Sequence, residues 1–150
     1  MKTQQRRDIA MNRVKTFFIA AFGVAALAGA CQAAMQQEDQ VRKALATLNR
    51  VVGHTQRLIE AKNYERLPHE NGEFKEGAEA LEKGLASEPA TFRAKVEPLL
   101  KKAEADSQRV ADAAGKHDDA ALAGSHAAFA ASVVQVIALF PPEVRPAGQP

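Results

Sequence analysis

Two consecutive stretches between Glu88 and Phe140 carry apolar residues at the spacing of one helix face, and this feature constrains the fold most. In both stretches the apolar positions recur at intervals of three or four residues. The first stripe consists of Phe92, Val96, Leu99, Ala103, Asp106, Val110 and Ala113, and the second of Leu122, His126, Phe129, Val133, Val136, Ile137 and Phe140. The two stripes predict a pair of helices packed as an antiparallel hairpin.

Each stripe contains one ionisable residue, Asp106 in the first and His126 in the second. If the chain reverses at Gly115 and Lys116, facing residues have position numbers that sum to about 231, and this pair fits within one residue. A carboxylate and an imidazole without partners would be unfavourable inside an apolar interface. We therefore predict that Asp106 and His126 face each other and fix the register of the hairpin.

Two further amphipathic stretches precede the hairpin. A long helix is predicted from about residue 37 to residue 62, with a stripe that contains Val41, Leu45, Leu48, Val52, Thr55 and Ile59. Residues 63–70 are predicted to be a connection, because the residue before Pro68 is disfavoured in the α region. A second helix is then expected from Asn71 as N-cap, with Phe74, Ala78, Leu81 and Leu85 inside and with Gly77 and Gly84 as weak points.

Prolines and aspartates set the expected ends of the last two helices. Pro89 fits the first turn of the third helix, whereas Pro98 predicts either a kink or a short helix followed by a longer one. Asp118 or Asp119 can cap the fourth helix, and the proline-containing tail 141–150 is predicted to be extended. The fold class is therefore all-α, an up-down-up-down antiparallel four-helix bundle over residues 34–140.

The N-terminal segment 1–33 has the layout of a secretory signal peptide. A basic region with Arg6, Arg7, Arg13 and Lys15 precedes an apolar run from residue 17 to 28, and small residues follow. The expected localisation is the periplasm. Cys31, the only cysteine, is the residue through which the alternative, a lipid-anchored protein, would attach to the membrane.

Charge and motifs exclude two broad functions. Residues 1–33 contain five of the 20 Lys and Arg and one of the 18 Asp and Glu, which leaves 15 basic and 17 acidic residues and a formal charge of −2. This balance does not favour nucleic-acid binding. The sequence has no phosphate-binding loop, no nucleophile paired with a base and no Glu-x-x-His pair, so the chain is predicted not to be an enzyme.

The histidines leave a metal site open. An antiparallel bundle brings all four histidines into one half of the molecule, so a divalent copper, nickel or zinc ion has a possible ligand set in His54, His69, His117, His126, Asp118 and Asp119. For His126 two interpretations stand: a structural pair with Asp106, or a ligand to a metal or haem iron whose ring Asp106 orients.

The signal segment, four helices, a proline-containing link and the segment Gly115-Lys116-His117-Asp118-Asp119-Ala120-Ala121-Leu122 together resemble the periplasmic four-helix-bundle cytochromes of the cytochrome c prime type. That family attaches haem through Cys-x-x-Cys-His in its last helix. Here Val133, Val136 and Ile137 stand at those places, so the resemblance implies the fold and compartment without covalent haem. Met35 and His126 are the formal candidates for a non-covalent haem, as in a relative of that family.

Together these observations predict an exported, haem-free, non-catalytic bundle that serves as a binding or accessory protein, with a periplasmic protein or a second copy of the chain as partner. No cofactor is predicted. The alternative is a carrier or electron-transfer protein that binds a divalent metal or non-covalent haem through His126.

Overall fold

The computed structural model describes residues 35–147, and these residues contain four α-helices. Helix α1 comprises residues 35–60, α2 Leu67–Gly84, α3 Ala90–Gly115 and α4 Asp119–Ala138. A 3₁₀ turn, Tyr64–Arg66, precedes α2, and another, Pro142–Val144, follows α4. The predicted signal segment 1–33 and its Cys31 lie outside the described residues.

Successive helices run in opposite directions. Gln37 Nε2 at the start of α1 donates to the carbonyl of Gly84 at the end of α2, over 2.8 Å. Phe92 at the start of α3 packs edge-on against Phe140, just after α4, with ring centroids 5.4 Å apart. The four helices thus form the predicted up-down-up-down bundle.

The core is built from one apolar stripe of each helix. Phe74 of α2 and Phe129 of α4 meet edge-on at its centre, with ring centroids 4.9 Å apart. Around them lie fully buried aliphatic side chains from all four helices: Leu45, Leu48, Val51, Leu81, Val96, Leu100, Leu122 and Val136. The periodicity read from the sequence therefore identifies the core faces.

Helix α2 begins earlier than predicted. It starts at Leu67, and Pro68 lies in its first turn, where the missing backbone N–H leaves no hydrogen bond unmade. Asn71, expected as the N-cap, is instead buried within the helix, where Ser107 Oγ donates to its Oδ1 over 3.0 Å. The predicted connection is thus shorter, and residues 67–70 belong to the bundle.

Helix α3 is continuous through Pro98. It runs as 26 residues from Ala90 to Gly115 with the proline inside, so of the two predicted alternatives the short helix followed by a longer one is wrong. Pro98 and the preceding Glu97 are exposed. The core stripe, which includes Val96 and Leu100, is therefore preserved on both sides of the proline.

Gly77 and Gly84 lie where α2 approaches α1 closely. A Cβ atom built on Gly77 would lie 3.0 Å from Leu48 Cδ2 and 3.1 Å from Thr47 Cγ2, and one on Gly84 would lie 3.0 Å from Val41 Cγ2. The low helix propensity of glycine is thus offset by close packing of the two helices. Gly77 and Gly84 are therefore also contact points between the two helices.

Lys62 and His117 end α1 and α3 in the left-handed region, each with φ of 53°. In both places the amide of the next residue donates to a carbonyl five positions back, Asn63 to Leu58 and Asp118 to Ala113. Asp118 then caps α4, because its Oδ1 accepts from the amide of Ala121 over 3.0 Å. This confirms the predicted cap.

The segment after α4 is not simply extended, as the sequence suggested. Pro142–Val144 forms a 3₁₀ turn, and Val144 is buried against the core. Arg145 Nε donates to the carbonyl of Phe140 over 2.8 Å, which fixes the turn to the end of α4. The bundle therefore includes residues that the sequence had placed in a free tail.

Candidate functional site

Asp106 is the centre of a buried polar cluster between α3 and α4. Only 1% of the residue is exposed. Its carboxylate accepts hydrogen bonds from Ser132 Oγ at 2.6 Å, Lys102 Nζ at 2.9 Å and Arg109 Nη1 at 2.5 Å. Lys102 and Arg109 extend along α3 to solvent, whereas Ser132 comes from α4, so the cluster ties the two helices together.

The charge of Asp106 is stabilised by these donors. Burial raises the pKa of Asp106. The hydrogen bonds from Ser132 and Lys102 and the charges of Lys102 and Arg109 lower this pKa, and their combined effect exceeds that of burial, so the pKa lies below the usual aspartate value. Lys102 donates to both Asp106 and Ser132, so one side chain of α3 contacts both members of the buried α3–α4 pair. The cluster therefore ties α3 to α4 at one register.

The predicted contact between Asp106 and His126 is wrong. His126 Nε2 lies 3.2 Å from the backbone carbonyl oxygen of Val52 on α1, and its ring packs near Phe129 of its own helix. The link between α3 and α4 is centred on His117 instead of Gly115 and Lys116. Ser132 and His126 are also about 120° apart around α4, so one faces α3 and the other α1.

This placement changes the interpretation of His126. Asp106 does not orient the imidazole, so it cannot serve as the carboxylate behind a His126 ligand. The half-buried ring instead links α4 to α1 through a main-chain oxygen. Met35, the other formal haem candidate, is 69% exposed.

A second buried carboxylate, Glu70, was not predicted as a site residue. Its side chain is 2% exposed, and Oε1 lies 2.9 Å from Nδ1 of His54 on α1. The sequence does contain the signal, since Leu67, Glu70, Phe74 and Leu81 share one helix face once α2 begins at Leu67. The expected connection over residues 63–70 concealed it.

His69 and Glu73 form an exposed pair beside Glu70. His69 Nε2 lies 3.2 Å from Glu73 Oε1, and Arg50 of α1 donates to Glu73 Oε2 over 2.7 Å. The hydrogen bond from Arg50 is the main cause of a lowered pKa for Glu73. Electrostatic interactions with His69 and His54 lower the pKa of Glu73 as well. Four ionisable residues of α2 and α1 thus lie side by side around Glu70.

An exposed cluster at the end of the bundle contains His117 and Asp119. Tyr64 Oη donates to Asp119 Oδ1 at 2.5 Å, Lys62 Nζ lies 3.3 Å from Oδ2, and the rings of Tyr64 and His117 are 5.7 Å apart. The hydrogen bond to Asp119 is the main cause of a raised pKa for Tyr64 and, from the other side, of a lowered pKa for Asp119.

The six residues proposed from the sequence as a metal set lie at three places: His54 and His69 near Glu70, His126 against α1, and His117, Asp118 and Asp119 at the end of the bundle. His54 pairs with Glu70, His69 with Glu73, His126 with the Val52 carbonyl, and Asp118 caps α4. Within residues 35–147 no three His, Cys, Asp or Glu side chains converge as ligands of one metal ion. Within these residues an ion would therefore meet at most two side chains of these four types at one place.

An open groove of about 950 Å³ follows the outer side of the α1–α2 contact. Its floor is formed by small residues, among them Ala44, Gly77 and Ala80, and charged residues stand along it: Lys43, Arg50, Glu73, Glu76 and Lys83. Both signs of charge alternate here, so the groove does not select anions or cations.

Comparison with protein-family models, with curated proteins and with solved structures gives no match for this chain. The resemblance to the cytochrome c prime type therefore remains an expectation from the sequence.

Proposed function

We propose that the chain is an exported, haem-free, non-catalytic four-helix-bundle protein that acts as a periplasmic binding or accessory protein and assembles as a homodimer through the outward face of α4. Export is supported by the basic and apolar layout of residues 1–33. The absence of covalent haem is supported by Val133, Val136 and Ile137 at the places where the related cytochromes attach it.

The composition of α4 carries the proposal of an interaction surface. Between Asp119 and Glu143 the sequence contains no Asp, Glu, Lys or Arg. Among the described residues α4 is the one helix whose length and hydropathy meet the requirement for crossing a membrane, yet 33% of its apolar window is buried inside the bundle. A helix that is apolar all round is normally covered on all sides, which points to a further contact on the exposed side.

The outward face of α4 has the spacing of a helix–helix seam. Its positions follow one another at intervals of four and three residues, and each of them is exposed: Ala120, Gly124, Ala127, Ala131, Val134 and Ala138. Val134, at 44%, is one of the few large apolar side chains that stay exposed in the described chain. Small side chains at such a seam let another helix approach closely.

The charge distribution around the outward face of α4 is compatible with contact between two copies of the chain. The α4 face is uncharged, and charges of both signs lie at its ends: Asp118, Asp119 and Lys62 at the start, and Glu143 and Arg145 after the end. In an antiparallel pair no like charges need to be buried in the seam, and the two helix dipoles run in opposite directions, which is the favourable arrangement. Electrostatics thus favour an isologous dimer.

The size of the face sets the expected strength of the dimer. Eighteen residues of helix extend about 27 Å, and a helix width of about 10 Å gives roughly 270 Å² per copy. Stable interfaces bury about 800 Å² per partner. We therefore expect a reversible dimer whose rim includes side chains of α1 and α3.

Sedimentation velocity over a range of protein concentrations tests the proposal. The protein without its signal segment should dimerise reversibly, and Ala127→Glu or Ala131→Glu should shift it to monomer by burying a carboxylate in the seam. Ala46→Glu, at an exposed alanine of α1, is the matched control and should leave the dimer intact. A wild-type chain that stays monomeric at the highest concentrations would overturn the proposal.

The haem-free and export parts have tests of their own. An absorption spectrum of protein isolated from the periplasm should lack a Soret band; a band near one haem per chain would favour the carrier alternative, and haemin titration of His126→Ala would then show whether His126 is its ligand. Mass spectrometry of the mature N-terminus distinguishes cleavage near residue 33 from lipidation of Cys31. A chain that keeps residues 1–33 would contradict export.

A further inference from the structure

We propose that His54 and Glu70 form a binding site for a divalent transition-metal ion of the zinc, copper and nickel class, between α1 and α2. The site is independent of the α4 face and of His126. It is carried by the burial of Glu70, by the geometry of its contact with His54, and by the access that His54 has to solvent.

Glu70 is a buried carboxylate without a hydrogen-bond donor. Its side chain is 2% exposed, and neither Oε1 nor Oε2 has a hydrogen-bond partner. Asp106 shows the contrast, since it is equally buried and receives three donors. Buried carboxylates are normally hydrogen-bonded, paired or coordinated to a cation; the 2.9 Å contact with His54 gives Glu70 no hydrogen bond, and a cation bound between the two side chains would supply the missing interaction.

The nearest group to Glu70 is placed as a co-ligand would be. His54 Nδ1 is 2.9 Å from Glu70 Oε1, but the contact does not have the direction of a hydrogen bond. Two ligands that bind one ion at about 2.0–2.1 Å are separated by about 2.9 Å at a right angle, as in the square-planar geometry of copper and nickel, and by about 3.3 Å in the tetrahedral geometry of zinc. In that arrangement the ion lies along the lone pair of His54 Nδ1, and Glu70 Oε1 lies to one side of that line. The observed contact fits this arrangement, because the two atoms are close but are not aligned as in a hydrogen bond.

The site is reachable from solvent on the His54 side. The His54 side chain is 30% exposed, so an ion can arrive with water molecules that complete its coordination. His69 and Glu73 are adjacent, but Glu73 is held by Arg50 at 2.7 Å. Imidazole and carboxylate are the ligand types that zinc, copper and nickel accept, whereas calcium and magnesium prefer oxygen alone. The chemistry therefore selects the transition metals.

Isothermal titration calorimetry of the full mature protein with ZnCl₂ and with CuCl₂ tests the site. We expect one ion per chain, and His54→Ala and Glu70→Gln should each weaken binding at least about tenfold, since even outer partners of metal ligands change affinity by 10–100-fold. His69→Ala and His126→Ala are the matched controls and should leave the affinity unchanged. No binding to the wild type, or equal loss in the controls, would overturn the proposal.

A second measurement on the unaltered chain keeps the test decisive if His54→Ala does not fold. Substoichiometric Cu²⁺ should broaden NMR signals of residues around His54 and Glu70 before those around His117 or His126. Broadening centred elsewhere would contradict the site. Circular dichroism of Glu70→Gln should show an intact bundle, because this change keeps the size and shape of the side chain.

Discussion

Ser132 Oγ donates to Asp106 Oδ2 over 2.6 Å, and this bond joins α4 to α3 at a point where both residues are 1% exposed. The two cations that complete the cluster are much more exposed than Asp106 and Ser132: 53% of the Lys102 side chain and 67% of the Arg109 side chain are exposed. The carboxylate therefore depends on its donors far more than the cations depend on the carboxylate.

This asymmetry predicts unequal effects of removing the two sides. Asp106→Leu should lower the free energy of unfolding by less than about 1.5 kcal/mol, because Lys102 and Arg109 return to water and an apolar side chain fills the space. The double change Lys102→Met and Arg109→Met should lower it by about 1–3 kcal/mol, because a buried carboxylate keeps only Ser132. Urea unfolding measures both, and the reverse order would contradict the description of the cluster.

The pKa of Asp106 predicts a loss of stability in acid. Its folded-state pKa lies below the ordinary value, so its contribution is complete above the unfolded pKa of about 3.9 and disappears as the pH falls through the folded pKa. The difference in unfolding free energy between wild type and Asp106→Leu should be constant from about pH 5 to pH 7 and should shift toward the variant below about pH 4. A difference that changes between pH 5 and pH 7 would point to another group.

Asp106 and His126 should be energetically independent. His126→Ala removes the 3.2 Å contact with the Val52 carbonyl and should cost about 0.5–1.5 kcal/mol of unfolding free energy. Combined with Asp106→Leu, the effects should add within about 0.5 kcal/mol. Ser132→Ala with Asp106→Leu is the positive control, for which a clear coupling energy is expected. Coupling of similar size in both cycles would mean that Asp106 and His126 interact.

The glycines of α2 should respond to alanine according to their surroundings. Gly72 has no atom within 4 Å of a built Cβ, so Gly72→Ala should stabilise the protein by about 0.5–1 kcal/mol through helix propensity. Gly77→Ala should destabilise it by up to about 2 kcal/mol, because Leu48 and Thr47 must move. Thermal unfolding compares the two variants. If Gly77→Ala were more stable than Gly72→Ala, the side chains of Leu48 and Thr47 would have to move at little cost.

The sequence predicts the elements of this fold well because each helix has a long regular stripe. The core residues of α1, α3 and α4, such as Leu48, Val96 and Phe129, lie where the periodicity puts them. The start of α2 was not predictable from the Leu67–Pro68 rule, because proline in a first turn is as compatible with a helix as with a link. Because the predicted helix began after residue 70, Glu70 was also not recognised as a buried residue of α2.

The site residues were harder to predict because they depend on register and rotation rather than on periodicity. Because the link is centred on His117 instead of Gly115 and Lys116, different residues of α3 and α4 face each other in the antiparallel pair. The direction of each side chain around α4 then decides the neighbour, Asp106 for Ser132 and Val52 for His126. Neither quantity is encoded in the spacing of apolar residues within one helix.

The partner of His126 is a main-chain oxygen, and this has a consequence for how the sequence can vary. The acceptor does not depend on which side chain stands at position 52, so replacements of Val52 should act through its packing against the core and not through the contact with His126. The α1–α4 link would then leave no pairwise covariation signal, although it holds two helices together.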